Sequence, residues 1–194
     1  MKTRNNAKTR HIARPISIVG LMGVGKTTIG RRLAKHLDLP FFDSDEEIEK
    51  ASGRSVKSLF QGYGEEEFRA GERRVITRIL DGKPLILSTG GGAFIPDETR
   101  DILLQNSLTI WLKADFDTVM ERVGRKNTRP LLDVPDPEAA MRKLMDARYP
   151  IYAKAHMTVI AENGTHYQTV QRVVDALNEY SPSKDADFKQ KCPT

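Results

Sequence analysis

The sequence predicts an α/β chain: a three-layer α/β/α sandwich around a five-stranded, mainly parallel sheet. Three observations predict it. Short β-rich runs alternate with segments of helical spacing through most of the chain. The first runs end in turn or acidic signals, at Gly20, Asp43 and Gly90. The length, 194 residues, suits about one domain at ~100–200 residues each. Helices between strands return the chain to the same end of the sheet, which makes neighbouring strands parallel.

The elements follow in order. Ile16–Val19 (ISIV) reads as the first strand, and Ile29, Leu33, Ala34 and Leu37 mark the helix after Lys26. Pro40–Phe42 is a second short strand ending in Asp43-Ser44-Asp45. Residues 45–61 read as two short helices broken at Gly53, and Glu65–Leu80 as a longer one. Leu85–Ser88 is a third strand, stopped by Gly90-Gly91-Gly92, with a helix near 97–105 after it. Leu108–Leu112 is a fourth strand, and Phe116, Val119, Met120 and Val123 mark a helix. The polar, basic stretch 124–137 reads as a lid-like loop, followed by a helix on Met141, Leu144 and Met145. Met157–Ile160 is the fifth strand, and Val170, Val173, Val174 and Leu177 mark the last helix. In such sheets ligands bind beyond the carboxyl ends of the strands, so chemistry is expected after Val19, Phe42, Ser88, Leu112 and Ile160.

Charge is informative only once it is placed. The chain has 31 Lys and Arg against 26 Asp and Glu. Five of the bases, and no acid, lie in residues 1–14; the rest of the chain holds 26 of each. The excess therefore belongs to a basic N-terminal tail, and no specific nucleic-acid partner is expected. Residues 181–194 read as a second tail, leaving 15–180 as a single domain. No apolar run reaches the ~18 residues that span a bilayer, and no secretory signal is read at the basic start. The one cysteine, Cys192, excludes an intramolecular disulfide. A cytoplasmic monomer is the expectation.

Gly20-Leu-Met-Gly23-Val24-Gly25-Lys26-Thr27 matches G-x-x-x-x-G-K-[ST] in full, between a strand and a helix. Its glycines let consecutive N–H groups face one phosphate, and the helix adds its positive end. Lys26 is expected on the β- and γ-phosphates and Thr27 on Mg²⁺. The motif places the fold in the P-loop NTPase type. It implies a bound nucleoside triphosphate but does not say what accepts the phosphate.

The acceptor side is read from charges in unusual places. Asp43 and Asp45 can divide labour between the metal shell and an acceptor hydroxyl. Ser44 or Asp45 before Glu46-Glu47 equally makes a helix cap. Arg69 and Glu72 continue the apolar stripe of Ile76, Ile79 and Leu80. A charged pair on a buried stripe is either a structural ion pair or a guanidinium held to grip an anion, a carboxylate in particular. Gly90–Gly92 allow close backbone approach to a ligand, or simply turn the chain. Arg148 follows Met141, Leu144 and Met145 on one stripe, as a second anion contact or a snorkelling side chain. Arg122 and Arg129 flank or sit in the basic loop, where they reach nucleotide phosphates on closure or remain solvated.

Together these motifs resemble the shikimate kinases, small P-loop kinases of the nucleoside-monophosphate-kinase-like fold. The resemblance rests on Gly20-x-Met22-Gly23-x-Gly25-Lys26-Thr27-Thr28, Phe42-Asp43-Ser-Asp45 with Ile48, and Gly53-x-Ser55 with Phe60. It continues through Gly64-Glu65, Phe68-Arg69 with Glu72, Gly90-Gly91-Gly92-Ala93, Arg129-Pro130-Leu131-Leu132, and Arg148 with Tyr152. It covers about residues 15–180. It implies phosphorylation of the shikimate 3-hydroxyl by ATP, a step towards aromatic amino acids. By the same resemblance Thr27 and Asp43 serve Mg²⁺, and Asp45 orients the attacking hydroxyl. Arg69 and Arg148 hold the shikimate carboxylate and Gly91 makes a backbone contact. Gly23, Val24, Gly25, Lys26, Thr27 and Thr28 cradle ATP, with Arg122 beside adenine and Arg129 in the lid. The basic N-terminal extension is the departure from the family pattern. Another small-molecule kinase of this fold, such as a gluconate kinase, is the alternative.

Overall fold

A computed structural model describes residues 14–124, 135–161 and 165–180 of the chain. The N-terminal tail up to residue 13, most of the lid with Arg129, and the C-terminal tail with Cys192 lie outside the described residues. Five strands form one parallel sheet in the order β2-β3-β1-β4-β5. They are β1 (Ile16–Val19), β2 (Phe41–Asp43), β3 (Ile86–Ser88), β4 (Leu108–Lys113) and β5 (Met157–Ile160).

Position in the sheet accounts for composition. The central β1 is buried at every residue, as is β4 up to its last, Lys113. A strand covered on both faces reads as a continuous apolar run. The edge strand β5 instead leaves Thr158 and Ile160 exposed on either side of buried Val159.

Seven helices connect and flank the strands among the described residues: α1 (Lys26–Leu37), α2 (Ser44–Ser52), α3 (Val56–Ile79), α4 (Asp97–Asn106), α5 (Phe116–Gly124), α6 (Pro137–Tyr152) and α7 (His166–Glu179). The β1–β2 crossover steps over β3 in one direction, and the later crossovers step in the other. Because such crossovers are right-handed, α1 lies on one face of the sheet and α3, α4 and the α5–α6 pair on the other. The last helix, α7, packs on α1 and β5. It starts with a capping box, in which Thr165 and Gln168 each bond the other's backbone N–H.

The breaks in the helical pattern are where the sequence places them. Gly53 ends α2 in the left-handed region. Within α3, Gly64 has φ 82° and ψ 175°, so this helix is two rods, one on each side of that residue. One boundary moves: Arg14, read as part of the tail, donates from Nη2 to the Ser107 carbonyl at 2.8 Å. Among the described residues no helix is long and apolar enough to cross a membrane.

Candidate active site

With all strands parallel, their carboxyl ends share one edge of the sheet, and the charged residues singled out from the sequence collect there. The loop after β1 holds Gly20, Gly23 and Gly25 at φ 139°, 83° and 96°, values a side chain would resist. Helix α1 begins straight from this loop, with no side-chain cap and no acid in its first turn. Its N–H groups and positive end are left for an anion. Lys26 is buried, and its ammonium donates to the Gly20 and Leu21 carbonyls, each at 2.8 Å. Thr28 is exposed on the first turn of α1. Arg122 reaches the loop from α5, donating to the Val24 carbonyl at 3.0 Å.

Beside the loop, Thr27 Oγ1 donates to Asp43 Oδ2 at 2.8 Å, with Ser88 Oγ at 3.4 Å from the same hydroxyl. Asp43 is also the cap of α2: its Oδ1 accepts from the Asp45 N–H at 3.1 Å. The capping role read for Ser44 or Asp45 thus belongs to Asp43. Ser44 instead accepts from the Gly90 N–H at 2.8 Å, which ties the start of α2 to the glycine turn. Among the described residues no cluster of three or more His, Cys, Asp or Glu could cage a metal. A hydroxyl and a carboxylate next to a phosphate loop nonetheless suit Mg²⁺, which keeps waters and borrows phosphate oxygens.

The acceptor side is built on α2, α3 and the turn after β3. Asp45 lies against that turn: a Cβ added to Gly90 would meet Asp45 Oδ1 at 2.6 Å and Glu72 Oε1 at 3.0 Å. Burial pushes the Asp45 carboxyl above its ordinary range, and the charge of Asp43 adds to the shift. Glu72 is 1% exposed; Oε2 accepts from Arg69 Nη1 at 2.6 Å, and Oε1 has no hydrogen-bond partner. Burial pushes its carboxyl up as well, against the pull of Arg69.

Arg69 is held from several directions. Glu72 takes Nη1, and the guanidinium carbon lies 5.5 Å from the Phe60 ring and 5.3 Å from Phe68. A Cβ on Gly92 would stand 2.2 Å from Nη2, so the missing side chain is what admits the guanidinium. The Gly91 carbonyl accepts from Arg148 Nη1 at 3.3 Å and from the Tyr152 hydroxyl. Burial raises the Tyr152 phenol to about 12, so it stays a donor.

The described site residues therefore converge, apart from Arg129, which lies outside the described residues. The sequence singles out nothing at Ser88, offers Ser44 only as a helix cap, and brings in Phe60, Phe68 and Tyr152 only through the resemblance, with no role of their own. Phe60 and Phe68 lie eight residues apart, about 12 Å along a continuous helix; the break at Gly64 lets their rings meet with centroids 4.2 Å apart, a contact that helical spacing does not show.

Comparison with known proteins agrees with this geometry. The family model described as shikimate kinase matches residues 22–178. A protein named shikimate kinase from Bartonella henselae is 45% identical over 186 residues, 96% of this chain and 89% of its own. The solved shikimate kinase from Acinetobacter baumannii in complex with shikimate superposes with a TM-score of 0.82 at 35% identity. That match covers 88% of this chain and 97% of the other. A gluconokinase from Sinorhizobium meliloti is 14% identical, with a TM-score of 0.65, and covers 93% of this chain and 99% of its own; that likeness shows the fold alone.

Proposed function

From the premise that the chain belongs to the shikimate kinase family and is an ATP-dependent phosphotransferase with an alcohol acceptor, we propose how its residues divide the reaction. The γ-phosphoryl of ATP passes to the 3-hydroxyl of shikimate, giving 3-phosphoshikimate and ADP, a step of aromatic amino-acid biosynthesis. The observation that carries the assignment of the acceptor is the guanidinium of Arg69, fixed by a buried carboxylate and admitted by a glycine, across from the phosphate loop.

The loop of Gly23, Val24, Gly25, Lys26, Thr27 and Thr28 holds the triphosphate. Lys26 turns its ammonium from the carbonyls of its own loop towards the β- and γ-phosphates. Thr27 and Asp43 would hold Mg²⁺ beside the loop. When bound, that ion neutralises phosphate charge and fixes the phosphate geometry. Arg122 stays beside the loop at the adenine side, and Arg129 closes over the phosphates with the lid.

Asp45 accepts a hydrogen bond from the 3-hydroxyl and aims it at phosphorus. Its raised affinity for a proton makes it a better acceptor than an exposed carboxylate. A loose transition state demands little early proton removal, so orientation is its main task. Arg69 and Arg148 hold the shikimate carboxylate. Gly91 contacts the ring hydroxyls through its N–H, since its carbonyl is engaged. We further propose one kinase domain over 15–180, active as a monomer in the cytoplasm without a specific nucleic-acid partner.

The test is a coupled ADP-release assay offering shikimate, gluconate and nucleoside monophosphates in turn, with the product located by ³¹P NMR. Turnover confined to shikimate is expected. No turnover with it would overturn the reading.

A further inference from the structure

Arg69 carries a second carboxylate that the reading above leaves unused. Glu65 Oε1 lies 3.4 Å from Nη2, one helical turn before Arg69, while Glu72 lies 2.6 Å from Nη1, one turn after it. The two acids differ in every other respect. The Glu72 side chain is 1% exposed and the Glu65 side chain 71%. Glu72 stands within the rigid part of α3; Glu65 directly follows the break at Gly64.

Donor geometry gives this difference a meaning. A carboxylate binds a guanidinium best through two parallel N–H groups on one edge. Glu72 already holds Nη1 in a short, buried bond, so an incoming carboxylate must take the edge that includes Nη2. That is the edge where Glu65 sits. A long, solvent-exposed contact does little to orient Arg69, which Glu72, Phe60, Phe68 and Gly92 already fix.

We propose that Glu65 is a placeholder for the acceptor's carboxylate: it occupies the Nη2 edge of Arg69 in the empty site and is displaced when the acidic acceptor binds. This rests on the shikimate reading and refines its selectivity. An acidic acceptor replaces Glu65 with an equivalent partner. An uncharged analogue gains nothing by displacing it, so Arg69 stays capped. The placeholder thus lowers affinity for every acceptor and lowers it most for those without a carboxylate.

The experiment is isothermal titration of shikimate into the full chain at low salt, comparing wild type with Glu65→Gln and Glu65→Ala. Exposed ion pairs contribute little, so the expected gain is small: a roughly two- to fivefold lower Kd for both variants. The gain should shrink at high salt. Affinity for ATP stays at the wild-type value, and thermal melts confirm that both variants fold. Unchanged or weaker shikimate binding by the folded variants overturns the placeholder. Wild-type protein that binds and phosphorylates no shikimate would instead overturn the acceptor reading, which keeps the two failures apart.

Discussion

The two halves of the site are built in opposite ways. The donor half is a single stretch of chain, from β1 through the glycine loop into α1; its strand is wholly buried, and so are Val24 and Lys26 where the loop meets the helix. At its centre the Lys26 ammonium is held by two backbone carbonyls of the loop itself. The acceptor half is assembled from α2, both rods of α3, the turn after β3 and the end of α6. From Gly53 to Glu67 every residue is exposed except Val56, Leu59 and Phe60, which are partly covered. Its working groups are charged side chains, one of them with a buried oxygen that has no partner. Phosphate is the same in every nucleotide, so the donor half can be rigid and generic. Selectivity for one acceptor lies in the half whose charges are costly to bury and whose scaffold is loosely covered.

The largest expected effects test whether both halves serve one transfer. Lys26→Ala removes the cation from the transferring phosphoryl and should lower kcat by about 10³-fold or more, read in the coupled assay. Asp45→Asn should lower kcat by about 10²-fold while raising the melting temperature at neutral pH. The sign follows from its shift. A carboxyl whose pKa is raised by folding above 3.8 destabilises the folded state once it ionises. That cost is absent below the ordinary pKa and complete above the raised one. The variant's gain in stability should therefore grow with rising pH and close in acid. Wild-type turnover should fall as pH drops through the raised pKa. A variant with normal turnover would remove Asp45 from the mechanism.

The same contrast explains how much could be read beforehand. The donor half was legible because its motif is contiguous and each glycine has a backbone reason. The strand order β2-β3-β1-β4-β5 is not legible in the sequence, but the alternation of strands and helices implies parallel pairing. On the acceptor side, Arg69 and Glu72 stood out because charge on a buried stripe is unusual. What the sequence could not show was which groups meet through space. Asp43 as the cap of α2, Ser44 on Gly90, and Gly92 making room for Arg69 all join residues distant in the chain or decided by a turn's geometry.

Two variants of intermediate effect separate the halves. Arg69→Lys keeps the charge but loses the fork, and should raise KM for shikimate about tenfold with KM for ATP unchanged. Gly92→Ala places a Cβ 2.2 Å from Arg69 Nη2, so the guanidinium must move. A rise of KM for shikimate of a few-fold is expected, again without change for ATP. Equal losses for both ligands in steady-state kinetics would mean that Arg69 supports the whole site rather than the acceptor.

The smallest effect is expected at Gly64, and it tests whether the break in α3 belongs to the acceptor half alone. At φ 82° and ψ 175° the backbone occupies a region essentially reserved for glycine. A Cβ there would meet nothing within 4 Å, so Gly64→Ala acts through conformation and not through a clash. If the break persists, the alanine costs about 1–3 kcal/mol locally. If it straightens, the rod carrying Phe60 swings relative to the rod carrying Phe68 and Arg69. Either way the Phe60–Phe68 contact, with centroids 4.2 Å apart, is disturbed. The rings pack over Arg69, so KM for shikimate should rise about twofold, by analogy with a lost exposed contact. Limited proteolysis should become faster between Gly53 and Gly64, with the donor half unaffected. A matching change in KM for ATP would show that the two halves move as one body, and the contrast between them would then be one of composition only.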